Sequence, residues 1–154
     1  MFRFLFFVFI ALGVFFAIAE DRTGASDEER SVLAATEQWV RTFNTRDPER
    51  IAALYAPEAV FWGTVSPTIR TSPGQILEYF VASARRRPTL RMSLGEQHVR
   101  VYGDVAFNSG YYTSRYVQDG EEVVTPMRFT FAYRRHEGRW LIVNHHSSRM
   151  PPAP

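Results

Sequence analysis

The chain contains no cysteine and no lysine. The first absence excludes disulfides, thiolate nucleophiles and cysteine metal sites. The second excludes Schiff-base catalysis and phosphate-binding P-loops, both of which need a lysine amine. All 18 basic residues are therefore arginine, set against 16 acidic ones, and the formal net charge is +2 in 154 residues. So small an excess leaves no electrostatic footprint for nucleic acid, and the run Arg85-Arg86-Arg87 reads as a solvated helix end. Internal repeats are missing too, and low complexity is confined to Pro151-Pro152-Ala153-Pro154. Histidine, carboxylate, hydroxyl, phenol and guanidinium remain as the available chemistry.

With 45% hydrophobic and 22% charged residues, the length suits one compact domain. The first segment has a different character. Arg3 precedes an unbroken apolar run from Phe4 to Ala19, which ends in Ala17-Ile18-Ala19 and meets the acidic pair Glu20-Asp21. This pattern predicts a secretory signal peptide over residues 1–19, hence a secreted or periplasmic protein that leaves the membrane after cleavage. Seven of the 13 phenylalanines lie in that segment, so the mature domain is less aromatic than the whole chain. Residues 20–28 read as a linker and 29–151 as the folded domain.

Ser26-Asp27-Glu28-Glu29 is a capping box, and Val32, Leu33, Thr36, Trp39, Val40 and Phe43 follow at helical spacing, so a helix is expected to end near Asn44. Asp47-Pro48 starts a short second helix that Pro57 stops. Ala59 to Trp62 is a short strand leaving through the loop Gly63-Thr64-Val65-Ser66-Pro67. Ser72-Pro73-Gly74-Gln75 caps a third helix with Ile76, Leu77, Phe80 and Val81 on its buried face. Everything after Pro88 alternates at period two. It divides into strands over 89–102, 105–117, 123–135 and 139–148, joined by turns at Gly103-Asp104, Asp119-Gly120 and Glu137-Gly138. Three helices ahead of four long antiparallel strands predict an α+β fold.

The densest polar cluster, Asn144-His145-His146-Ser147-Ser148-Arg149, closes the last strand. Alternation puts His145 and Ser147 on one face and Asn144, His146 and Ser148 on the other, which argues against both histidines ligating one metal. A two-residue turn at Glu137-Gly138 pairs His136 with Arg139 and carries Arg128 opposite Ser147 and Thr130 opposite His145. The expected group is therefore Arg128, Thr130, His145 and Ser147. Phe129, Phe131, Tyr133, Trp140 and Ile142 share the other face, which continues to His146 and Ser148. Arg128 among aromatics suggests an anion partner. Apolar residues on both faces of the last strands predict a homodimer formed by an isologous contact.

The order of elements resembles the nuclear-transport-factor-2-like (SnoaL-like) superfamily, a strongly curved antiparallel sheet packed on three N-terminal helices around a cone-shaped pocket. Residues 138–151, Gly-Arg-Trp-Leu-Ile-Val-Asn-His-His-Ser-Ser-Arg-Met-Pro, are similar to the association domain of calcium/calmodulin-dependent protein kinase II. Gly63-Thr64-Val65-Ser66, Tyr79-Phe80 and Arg128-Phe129-Thr130-Phe131, with the His-His-Ser-Ser segment, resemble the iota-class carbonic anhydrases. That resemblance implies reversible hydration of carbon dioxide to bicarbonate, with catalytic Thr64, Tyr79, His145 or His146, and Ser147 or Ser148. Arg128, Ser66 and Thr130 would bind substrate. It implies no fixed cofactor: members occur with a divalent metal such as zinc or manganese and without one. Two other functions fit the same scaffold, a non-catalytic ligand-binding or oligomerising module and an isomerase or cyclase with a carboxylate base.

Overall fold

The computed structural model describes residues 25–152; the expected signal peptide and most of the expected linker lie outside the described residues. Three helices precede four of the five strands: α1 (Asp27–Thr45), α2 (Pro48–Ala52), β1 (Tyr55–Trp62), α3 (Pro73–Arg86), β2 (Arg91–Tyr102), β3 (Val105–Gln118), β4 (Glu121–His136) and β5 (Arg139–Arg149). No helix among the described residues is long and apolar enough to cross a membrane.

Local signals set the helix limits. Ser26 Oγ accepts the Glu29 amide at 3.1 Å while Glu29 reciprocates on the Ser26 amide at 2.8 Å. α1 therefore begins inside the expected linker. It buries Val32, Thr36, Trp39, Val40 and Phe43 along one stripe and ends where Arg46 turns left-handed at φ 61°. Asp47 caps α2 and Ser72 caps α3, each with proline at the start of the helix. The expected full box at Ser72 is split: Gln75 turns its side-chain oxygen to the Thr71 amide instead.

The strands form one sheet in the order β1-β5-β4-β3-β2. The hairpins fall where expected, with positive φ at Asp119-Gly120 and Glu137-Gly138 as primed turns require. The all-antiparallel expectation is corrected at one edge. β1 starts at Tyr55, four residues earlier than its sequence suggests, and pairs parallel to β5. A chain that runs from β1 through α3 and three antiparallel strands returns β5 beside β1 in the same direction. α1 packs across β2 and β3 while α3 packs on β1 and α2. Between helices and sheet lies a core of rings, in which Trp39 meets Phe43, Tyr112, Phe131 and His145.

Candidate active site

A single bulged residue decides which polar side chains meet. From the turn the β4–β5 ladder runs as expected, through His136 opposite Arg139 to Tyr133 opposite Ile142. The register then shifts, so that Ala132 faces Asn144 and Val143 is the extra residue. Beyond it Phe131 faces His145, Phe129 faces Ser147, Thr130 faces His146 and Arg128 faces Ser148. The expected pairing of Arg128 with Ser147 and Thr130 with His145 is therefore overturned. His145 and Ser147 join Ile142, Phe129 and Phe131 in the interior, while Arg128, Thr130, His146 and Ser148 lie on the outer face.

The inner face bounds a cavity of about 730 Å³ between α1, α3 and the sheet. Trp39, Phe43, Phe61, Phe80, Met92 and Met127 contribute its apolar walls. One region of it is rich in hydroxyls. Thr64 Oγ1 and Ser147 Oγ are hydrogen-bonded, and both act on the phenol of Tyr112, which burial nonetheless pushes well above its usual 10. Tyr79 is the fourth hydroxyl. Its phenol is likewise raised, chiefly by burial, with the Val65 amide and the Arg70 guanidinium pulling the other way; Arg70 lies 5.0 Å over its ring. At neutral pH both phenols are protonated donors.

Gly63 makes room for this arrangement, since a methyl group there would lie 2.6 Å from Tyr79 Oη. Ser66, expected to bind substrate, instead locks the loop. Its hydroxyl donates to Thr68 O at 2.5 Å and accepts from Arg70, and Trp62 Nε1 donates to its carbonyl.

His145 is 2% exposed and lies in the cavity wall beside Ser147. Trp39 Nε1 donates to Tyr55 Oη at 3.1 Å, and Tyr55 Oη is 2.7 Å from His145 Nδ1. His145 Nε2 is buried and has no partner among the described residues. Desolvation, reinforced by the neighbouring His146, holds the imidazole well below its usual 6.5. It is therefore neutral at physiological pH and does not titrate as an exposed proton shuttle would. Toward the mouth the lining turns cationic, with Arg70, Arg86, Arg87 and Arg149 against Glu78.

The outer face carries a shallower pocket of about 390 Å³, lined among others by His98, Ser109, Tyr111, Arg128, Thr130, His146 and Ser148. Arg128 Nε donates to Ser148 Oγ at 2.9 Å, and Ser109 shares a 3.1 Å hydrogen bond with Thr130. The residues expected to form one site thus divide: Thr64, Tyr79, His145 and Ser147 line the inner cavity, and Arg128, Thr130, His146 and Ser148 the outer pocket.

The inner donor set does not fit a divalent metal. It offers one imidazole, whose Nδ1 is committed to Tyr55, neutral hydroxyls and, at the mouth, the single carboxylate of Glu78, whereas zinc takes several imidazole, thiolate or carboxylate ligands. Among the described residues no group of three or more histidines and carboxylates is placed to hold an ion. Sequence reasoning missed Tyr55, Tyr112 and Trp39. Periodicity marked Trp39 as part of the apolar stripe of α1 and Tyr112 as lying on a buried face of β3, but it gave neither a role in the site.

The chain matches the family model of the calcium/calmodulin dependent protein kinase II association domain over residues 28–151. Among solved structures it is similar to a protein from Xanthomonas campestris assigned provisionally to that association domain. The two are 33% identical with a TM-score of 0.74, covering 84% of this chain and 95% of that one. Its fold is also that of a nuclear-transport-factor-2-like protein from Streptomyces avermitilis described provisionally as a dehydratase (18% identity, TM-score 0.74, covering 82% and 100%). A similar likeness holds for a nuclear-transport-factor-2-like protein of unknown function from Pseudomonas putida (21%, 0.70, covering 80% and 87%). No curated protein matches significantly.

Proposed function

Because the chain belongs to the calcium/calmodulin dependent protein kinase II association domain family, whose shared scaffold does not fix an activity, we propose that its inner cavity hydrates carbon dioxide reversibly to bicarbonate. The observation that carries this reading is the hydroxyl group of four, Thr64, Tyr79, Tyr112 and Ser147, beside a neutral imidazole and between apolar walls. Carbon dioxide is apolar and suits those walls. The Thr64–Ser147 pair holds the attacking water. Its oxygen bonds to carbon as one carbon–oxygen π pair moves onto a substrate oxygen, where the protonated phenols stabilise the developing charge. The water's proton leaves along the hydroxyls to the mouth, where solvent buffer takes it up, and the arginines there favour the anionic product. An isomerase or cyclase is disfavoured because Glu78, at the mouth, is the one carboxylate among the described lining residues.

Stopped-flow hydration with a pH indicator tests the reading: acceleration above buffer, unaffected by a chelator, is expected. Hydration indistinguishable from buffer at micromolar protein would reject it in favour of a non-catalytic module.

The outer face supports a second, compatible role. Trp62, Tyr102, Phe107 and Tyr111 are each at least 43% exposed there, and we propose that a second copy covers them in an isologous dimer. A monomeric mass by light scattering at micromolar concentration would oppose this. The apolar run ending at Ala19 supports export, for which mass spectrometry of secreted protein should find an N-terminus at or near Glu20.

A further inference from the structure

Building on the reading of the inner cavity as the reacting site, we infer that Trp39 and Tyr55 are positioning residues that hold His145 as its Nε2–H tautomer, so that the cavity offers its ligand a fixed N–H donor and not a base. Neither residue belongs to the hydroxyl group, and both are buried.

The argument is one of proton counting. An indole nitrogen only donates, so the 3.1 Å contact uses one lone pair of Tyr55 Oη. Tyr55 has one proton to place, and its other polar contact is His145 Nδ1 at 2.7 Å. Were Nδ1 protonated, Tyr55 would accept twice, and its own proton would be stranded among the rings of Phe61 and Phe80. The phenol proton therefore sits on the Tyr55–His145 bond, Nδ1 accepts it, and a neutral imidazole must carry its remaining proton on Nε2. Burial favours the neutral form of both partners, raising the phenol and lowering the imidazole, so neither is charged.

That leaves a buried N–H without a protein partner. Buried donors are nearly always satisfied, and an exception asks for a reason. Here the reason is position. His145 and Ser147 are two residues apart on one face of β5 and line the same cavity, so an oxygen of a substrate bound in that cavity is the acceptor open to it. Proton transfer then belongs to the hydroxyls, while His145 stabilises an oxygen that gains charge.

Long-range ¹H–¹⁵N correlation spectra of the full chain read the tautomer directly. Wild type should show His145 Nδ1 as an unprotonated acceptor and Nε2 as protonated at neutral pH, and sodium bicarbonate should shift the Nε2–H proton resonance. Tyr55→Phe keeps the ring but removes the lock, and should give a mixture of tautomers. A protonated Nδ1 in wild type overturns the inference whether or not the variant folds. An unchanged Nε2–H tautomer in Tyr55→Phe overturns the positioning role. The assigned tautomer with no response to bicarbonate upholds the lock and counts instead against carbon dioxide hydration.

Discussion

Gly63→Ala is the substitution that most tightly links packing to the site. A methyl group at this position would lie 2.5 Å from Cζ and 2.6 Å from Oη of Tyr79, and 2.7 Å from Cζ of Phe61. Carbon atoms in contact need about 3.5–4.0 Å, so a ring has to retreat by roughly 1 Å. Phe61 has the less room to move, being 1% exposed, stacked 5.5 Å from Phe80 and tilted against His145 at 5.0 Å. Tyr79 is the side that yields, and it leaves the hydroxyl group as it does so. Backbone strain adds nothing, since the positive-φ glycines among the described residues are Gly103, Gly120 and Gly138.

Insertion of one methyl group into packing this tight costs about 1–3 kcal/mol, measurable as a lower midpoint in urea, and the hydration rate should fall with it. In a Tyr79→Ala background the methyl still meets Phe61, whose ring can shift into the space that Tyr79 vacates beside it, so part of the loss should vanish as coupling between the two positions. A Gly63→Ala protein with an unchanged midpoint and rate would refute the packing argument, and an equal loss in both backgrounds would show that Tyr79 is not the obstacle.

Acid should expose the neutral burial of His145. Its folded value is held well below 6.5, so the unfolded chain gains a proton first. Stability is full above about pH 6.5 and declines below it by up to about 1.4 kcal/mol per pH unit; His145→Gln should remove that part of the slope in urea titrations at pH 7 and 5. The phenols of Tyr79 and Tyr112 are both pushed up, so the hydration rate should not fall through pH 10, and a loss of rate with an ordinary phenol pKa would contradict their burial. Thr36 Oγ1 accepts from Asn108 Nδ2 at 2.8 Å, shares a 2.9 Å bond with Tyr133 and donates to Val32 O. Thr36→Val should therefore cost about 1–3 kcal/mol in stability with turnover per folded molecule unchanged.

Much of this architecture was legible in the chain because its signals are local. Capping residues fixed the starts of α1, α2 and α3, and glycines fixed the hairpin turns, so helix order and strand limits could be read within a few residues. Two features were not legible. The parallel pairing of β1 with β5 joins segments some eighty residues apart in the chain, and nothing in Tyr55 to Trp62 names its partner. The bulge at Val143 has no glycine to mark it, and the Asn144 that follows reads equally well as part of the polar strand end. It is stabilised by what it permits, the burial of both Ile142 and His145 on one side, and it exchanges the partners of every residue beyond it. Alternation thus identified His145 with Ser147 as a pair, whereas their association with Arg128 rested on an unbroken ladder. The Tyr55–His145 bond is a contact across the core, and periodicity carries no information about it.

The central claim is that the inner face of β5, and not the outer one, does the chemistry. Ser147 and Ser148 are adjacent residues on opposite faces, one hydrogen-bonded to Thr64 and the other to Arg128. Carbon dioxide hydration by Ser147→Ala and Ser148→Ala, measured side by side by stopped flow, separates the faces with one methyl-for-hydroxyl exchange each. The inner variant should lose about a hundredfold in rate and the outer one should match wild type. Loss in Ser148→Ala with an active Ser147→Ala would contradict the account.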